Sequence, residues 1–193
     1  MGLAEDYKKY KWFFTASGKL VVCGKNAEQN DILLKEIKKE NKAHLVMHTL
    51  SPGSPFCVIL SSPNNLSEKD KLACAVFTAC FSQAFKQGKK KIQVDSFLSS
   101  SLCKTSSMKI GTWAVKKRTS SYQIKPKLFL TKQKNIIKAV PEHALKPNQK
   151  TFFEINQGKE IKSNLLKIIK EKLKDASDEE ILSALPSGGL QIK

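Results

Sequence analysis

An α+β fold, a mainly antiparallel β-sheet packed against two helices and followed by a short C-terminal extension with two helices, is predicted by three observations. A hairpin pattern occupies Trp12 to Cys23, and two capped amphipathic helix patterns begin near Asn26 and Ser67. Strands and helices also lack the regular alternation that a doubly wound parallel sheet requires.

The elements follow in chain order. Lys11 to Thr15 is aromatic-rich, Leu20 to Cys23 is rich in β-branched residues, and Ala16-Ser17-Gly18 between them places a glycine where a three-residue hairpin loop turns left-handed. Gly24 ends the second arm. Asn26 is the expected N-cap of a helix with Gln29 three residues on, and Ile32, Leu33, Leu34 and Ile37 form its apolar face. Two strands are expected next, His44 to His48 and Phe56 to Leu60, joined by a loop rich in Pro, Gly and Ser. His44 and His48 share one strand face, but no third ligand accompanies them, so no metal site is read there. Ser67, with Asp70 as its reciprocal acid, opens a helix expected to reach Gln87 and stop at Gly88.

Lys90 to Val94 reads as a strand, Asp95 to Met108 as a Ser-rich irregular stretch, and Thr112 to Arg118 as a strand of the main sheet with Trp113 facing the core. Beyond Pro141 the character changes. A short strand is expected over Thr151 to Ile155, an amphipathic helix over Ile161 to Leu173, and a last helix capped by Ser177 with Glu180 as its reciprocal acid. The organisation expected is a main domain over 1–142 and an extension over 143–193.

Charge narrows the partner. The 193 residues carry 34 basic and 17 acidic side chains, a formal charge of +17. Between Lys86 and Lys138 there are 14 bases against Asp95 alone. Lysine outnumbers arginine 33 to 1, which could reflect a general bias, but bias does not remove acids from one region while leaving them in others. A polyanion, nucleic acid above all, explains the asymmetry better. The five cysteines are odd in number and lack Cys-x-x-Cys spacing, so they read as reduced thiols of a cytoplasmic protein. No segment approaches the roughly 20 apolar residues of a membrane span, and no signal-peptide pattern opens the chain.

Trp12, Phe13, Thr15, Gly18, Leu20, Gly24, Lys25, Asn26, Ala27 and Asn30 form a constellation that resembles the start of the NFACT-R domain, the RNA-binding module of the NFACT family of ribosome-associated quality-control factors. A second stretch is similar to that family's other diagnostic motif: Cys103-Lys104-Thr105 followed by Gly111 to Arg118. His48, Gly53 and Ser54 match the family's strand-ending histidine and small-residue loop, although Thr49-Leu50 replaces the acid usual after the histidine. The ending Ile181 to Gly189 resembles free-standing archaeal members.

The resemblance implies a protein that contacts tRNA or ribosomal RNA, with the ribosome as a further partner, in quality control or translation. The RNA-binding residues expected are Lys25, Asn26, Asn30, His48, Lys104, Lys109, Lys116, Lys117 and Arg118, the bases serving as phosphate contacts. No P-loop, dinucleotide fingerprint, His-Glu-x-x-His or nucleophilic triad is present, so no catalytic residue, metal or cofactor is assigned. The alternative is an enzyme or accessory subunit of tRNA modification built around Asn26, Asn30 and His48.

Overall fold

The computed structural model describes residues 2–40 and 42–193; Met1, with which the expected main domain opens, lies outside them. The chain runs β1 (Lys11–Phe14), β2 (Leu20–Cys23), α1 (Ala27–Lys39), β3 (Leu45–Thr49), β4 (Cys57–Ile59), α2 (Glu68–Cys80) and α3 (Gln83–Lys86). It continues with β5 (Ile92–Leu98), β6 (Leu102–Cys103), β7 (Ala114–Val115), β8 (Ser120–Ile124), β9 (Leu128–Gln133) and β10 (Ile136–Val140). Then come β11 (Thr151–Glu160), α4 (Lys162–Lys172), α5 (Asp178–Ala184) and β12 (Leu190–Ile192).

The main sheet has the order β1-β2-β4-β3-β5-β8, with antiparallel neighbours throughout. Period-two alternation sends Phe13, Val21, Met47 and Ile59 to one face and Trp12, Val22, Val46 and Val58 to the other. The first face packs on α2, the second on Leu33, Leu34 and Ile37 of α1. Both faces are therefore covered. In α1 the buried positions are Asn30, Asp31, Leu33, Leu34 and Ile37, whereas Ile32, expected on the apolar face, is 48% exposed. Asn30 and Asp31 are thus buried beside the apolar face, and Ile32 is left out of it.

Ser67 and Asp70 close the expected capping box: Asp70 N–H donates to Ser67 Oγ (3.2 Å) and Ser67 N–H to Asp70 Oδ2 (3.0 Å). Every residue from Ala73 to Cys80 is buried, because β9, β10, β11 and β12 form a second antiparallel sheet, ordered β10-β9-β11-β12, that shares one apolar core with α2. The segment beyond residue 142 consequently shares a sheet with residues 128–140. Cys74 and Cys80 are fully buried, and burial pushes both thiols well above their ordinary pKa.

Several expectations are corrected. The helix opened by Ser67 does not reach Gln87 unbroken: the Ser82 hydroxyl donates to Ala79 O (2.7 Å) and accepts from Phe85 N–H (3.2 Å), so one helix ends and α3 begins. β5 runs on through Asp95 to Leu98, the start of the expected irregular stretch, because it pairs with both β3 and β8. The Thr112 region is not a strand of the main sheet. Gly111 turns at φ 78° and Thr112 N–H donates to Lys109 O, leaving only Ala114–Val115 to pair with β6 in a two-stranded ribbon. β8 takes the sheet edge in its place.

The β9–β10 hairpin turns through Lys134 and Asn135, both at positive φ, the two-residue geometry that suits strand twist. β11 extends past Ile155 to Glu160. Ser177 caps α5 as expected, but the Glu180 carboxylate accepts Ile137 N–H (2.6 Å) and ties the helix to β10. Finally, not all five thiols are free. Cys23 and Cys57 oppose each other across β2 and β4 with Cα atoms 4.2 Å apart, and they form a disulfide.

Candidate nucleic-acid interface

A groove of about 910 Å³ opens where the β2–α1 turn, the loop after β3, the ribbon of β6 and β7, and the start of α4 meet. Six bases line it, Lys11, Lys25, Lys86, Lys116, Arg118 and Lys162, against one acid, Asp95. Its aromatic lining comes from Phe56, Phe81, Phe97 and Trp113.

The turn into α1 is built by short polar bonds. Asn26 Oδ1 accepts Gln29 N–H (2.8 Å), and Gln29 Oε1 accepts Lys25 N–H (3.1 Å). Asn30 is buried, and its Oδ1 accepts Phe56 N–H (3.1 Å), fastening α1 to the chain entering β4. A Cβ at Gly24 would collide with the Asn30 side chain, so the close approach demands glycine. Asn30 holds the groove wall together; Asn26 and Lys25 remain exposed at its edge.

Across the groove, Asp31 organises the second motif. Its carboxylate accepts Lys104 Nζ (3.0 and 2.8 Å), Gly111 N–H (2.9 Å) and Trp113 Nε1–H (2.8 Å). Burial alone pushes Asp31 up, but Lys104, Trp113 and Gly111 together hold its carboxyl below the ordinary value. Gly111 also sits so close to Ala27 that an added Cβ would come within 2.7 Å of that side chain. The two sequence motifs are thus joined through one carboxylate. Lys104 is spent in this strut: its third donor reaches Lys109 O (2.9 Å), leaving none for a phosphate.

His48 lies on the groove wall with its ring 4.4 Å from that of Phe56. Its Nδ1 meets Thr49 O at 2.7 Å. Burial lowers its pKa, outweighing the Thr49 and Ser54 carbonyls and Asp95, which favour the charged ring. Arg118 Nε pairs with Asp95 Oδ2 at 3.1 Å. Of the nine expected contacts, Lys25, Asn26, Asn30, His48, Lys116 and Arg118 come together around the groove, whereas Lys104, Lys109 and Lys117 do not line it. Lys11, Lys86, Asp95 and Lys162 line it without having been expected. Asp95 alone carried a signal, as the single acid in the basic stretch.

The sequence profile described as the NFACT protein RNA binding domain matches residues 9–117, more than half of the chain. The chain belongs to this family. No curated protein matches it. Among solved structures, the C-terminal part of the fibronectin/fibrinogen-binding protein from Streptococcus suis superposes with a TM-score of 0.53 at 24% identity, a likeness of fold. The match covers 61% of this chain and 45% of that one. The NFACT RNA-binding match includes Lys11, Lys25, His48, Asp95 and Lys116, whereas Arg118, just past its end, and Lys162, Leu185 and Ser187 complete the groove from beyond it.

Two lysines fasten that added wall: Lys11 Nζ donates to Ser183 O (3.2 Å), and Lys162 Nζ to Leu182 O (3.1 Å) and Leu185 O (2.7 Å). Both reach the C-terminal end of α5, where cations are favoured. Burial, then Lys162, Lys25 and Lys138, pull Lys11 down to about 8. Burial and Lys25 bring Lys138, whose Nζ lies 3.8 Å from the Trp12 ring centroid, to about 8 as well, against the opposing pull of Glu180. No helix among the described residues is long and apolar enough to cross a membrane.

Proposed function

We propose that this NFACT RNA-binding domain holds RNA in the groove, with Lys25, Lys86, Lys116 and Arg118 on phosphates, and that it serves as a non-catalytic factor contacting tRNA or ribosomal RNA in translation or ribosome-associated quality control. The observation that carries this reading is the convergence of six bases from distant segments on one concave surface beside the start of α1. The amide ends of α1 and the excess positive charge both suit phosphate. Four phosphate contacts imply that log affinity falls against log salt with a slope of about −3. Fluorescence anisotropy of labelled tRNA and ribosomal RNA fragments across a KCl series measures it; a flat response, or no binding, defeats the proposal. Crosslinking in cells followed by sequencing of the bound RNA then identifies the partner.

A pH dependence follows. Between pH 7 and 9, Lys11, which lines the groove, discharges while ordinary lysines stay charged, so RNA affinity is expected to fall by about 3-fold at constant ionic strength. Stability moves the other way. With the folded pKa values of Lys11 and Lys138 below the unfolded one, the unfolded chain holds more protons between about pH 8 and the ordinary lysine value of 10.5. These lysines therefore weaken the fold fully below about pH 8, and the penalty lifts as pH rises through that window. Opposite slopes for binding and for urea unfolding separate discharge from denaturation. Lys11→Arg should remove its share of the binding slope.

A further inference from the structure

Resting on the reading of the groove as an RNA site, we propose that it accepts an unpaired nucleotide base-first, with the Watson–Crick donors of the base meeting His48 Nε2 and the Asp95 carboxylate, and that guanine fits best.

The chemistry of the wall supports a base rather than a phosphate at this point. A carbonyl only accepts, so the 2.7 Å contact with Thr49 O places a proton on His48 Nδ1 and makes Nε2 of the neutral ring an acceptor. The lowered His48 pKa keeps the ring neutral at physiological pH. Asp95 sits directly opposite His48 in the β3–β5 register. Its oxygens already meet Arg118 Nε (3.1 Å) and Gln93 Nε2 (3.2 Å), and each has a lone pair left. A carboxylate repels a phosphate. Two neighbouring acceptors call instead for a ligand edge rich in N–H.

The surroundings agree. The His48 and Phe56 rings form an aromatic wall, and the groove also exposes Leu50 (56%), Ile110 (63%) and Val115 (41%). Apolar groups left open to water beside phosphate-binding cations suit a splayed base, whose faces need cover. A duplex offers neither free faces nor free Watson–Crick protons, because pairing has used them. Guanine carries adjacent N1–H and N2–H donors, adenine and cytosine one amino group each, and uracil a single N3–H between two carbonyls that the carboxylate disfavours.

The test uses the full chain at low ionic strength. Titration with GMP, AMP, CMP and UMP, read by NMR shifts of the His48 and Trp113 signals, should show GMP binding roughly tenfold tighter than UMP. Single-stranded RNA should bind tighter than its duplex. Asp95→Asn should erase the GMP preference while leaving the salt slope for single-stranded RNA in place, and His48→Gln, which keeps an acceptor, should retain more of the preference than His48→Ala. Equal binding of GMP and UMP, or duplex binding as tight as single strand, overturns the base-first site and leaves RNA binding standing. Failure of every RNA to bind overturns both.

Discussion

Asp31→Ala is expected to cost the fold about 3 kcal/mol, because it removes the buried carboxylate that three donors share and leaves the half-buried Lys104 ammonium without its counter-charge. The side chains of Lys104 and Asp31 are only 16% and 9% exposed, so water replaces the lost partner only in part. Trp113 Nε1 and Gly111 N–H lose their acceptor at the same time. Urea denaturation measures the loss. The double variant Asp31→Ala with Lys104→Met should recover part of it, since removing both charges is far milder than removing one. The same carboxyl links stability to acid: its folded pKa lies below the ordinary carboxylate value, so its contribution is complete above that value and disappears as pH falls through the folded one. A variant that unfolds within 1 kcal/mol of the parent refutes the strut.

The second large effect is on binding. Reversing three rim charges together, Lys25→Glu, Lys116→Glu and Arg118→Glu, should weaken RNA affinity by about 100-fold or more at low salt and flatten the salt slope by about 2. All three side chains reach solvent, Arg118 being 52% exposed, so the melting temperature should fall only by the repulsion between the new carboxylate at position 118 and Asp95, which is 12% exposed. Stable protein with unchanged affinity would place the RNA on another face.

Much of the fold is legible where a local rule and the tertiary structure agree. The Trp12 hairpin, the Asn26, Ser67 and Ser177 caps and the amphipathic α4 are set by neighbours a few residues away. The strands from Ser120 to Val140 escape, because Ser120–Ile124 is mostly polar at the sheet edge and the β9–β10 hairpin turns through Lys134-Asn135 without a glycine. The site divides in the same way. Lys25, His48 and Lys116 lie within motifs and are found there. Lys162 is ordinary in its helix and reaches the groove only because α5 packs beside β10. Lys104 shows the converse failure: its charge suggests a phosphate contact, and only the fold reveals that Asp31 has claimed it. The Cys23–Cys57 bond depends on cross-strand register, which spacing along the chain does not encode.

The clasp of Lys11 and Lys162 on the end of α5 carries a consequence for biosynthesis. Lys11 and Ser183 stand 172 positions apart, so a chain emerging from the ribosome N-terminus first displays its hairpin long before α5 exists to meet it. Until then the groove lacks the wall formed by Lys162, Leu185 and Ser187. The stretch of wall that Lys162, Leu185 and Ser187 form is therefore the last of the groove's lining to be synthesised, and the groove takes its full depth only after the hairpin and the basic rim are already in place.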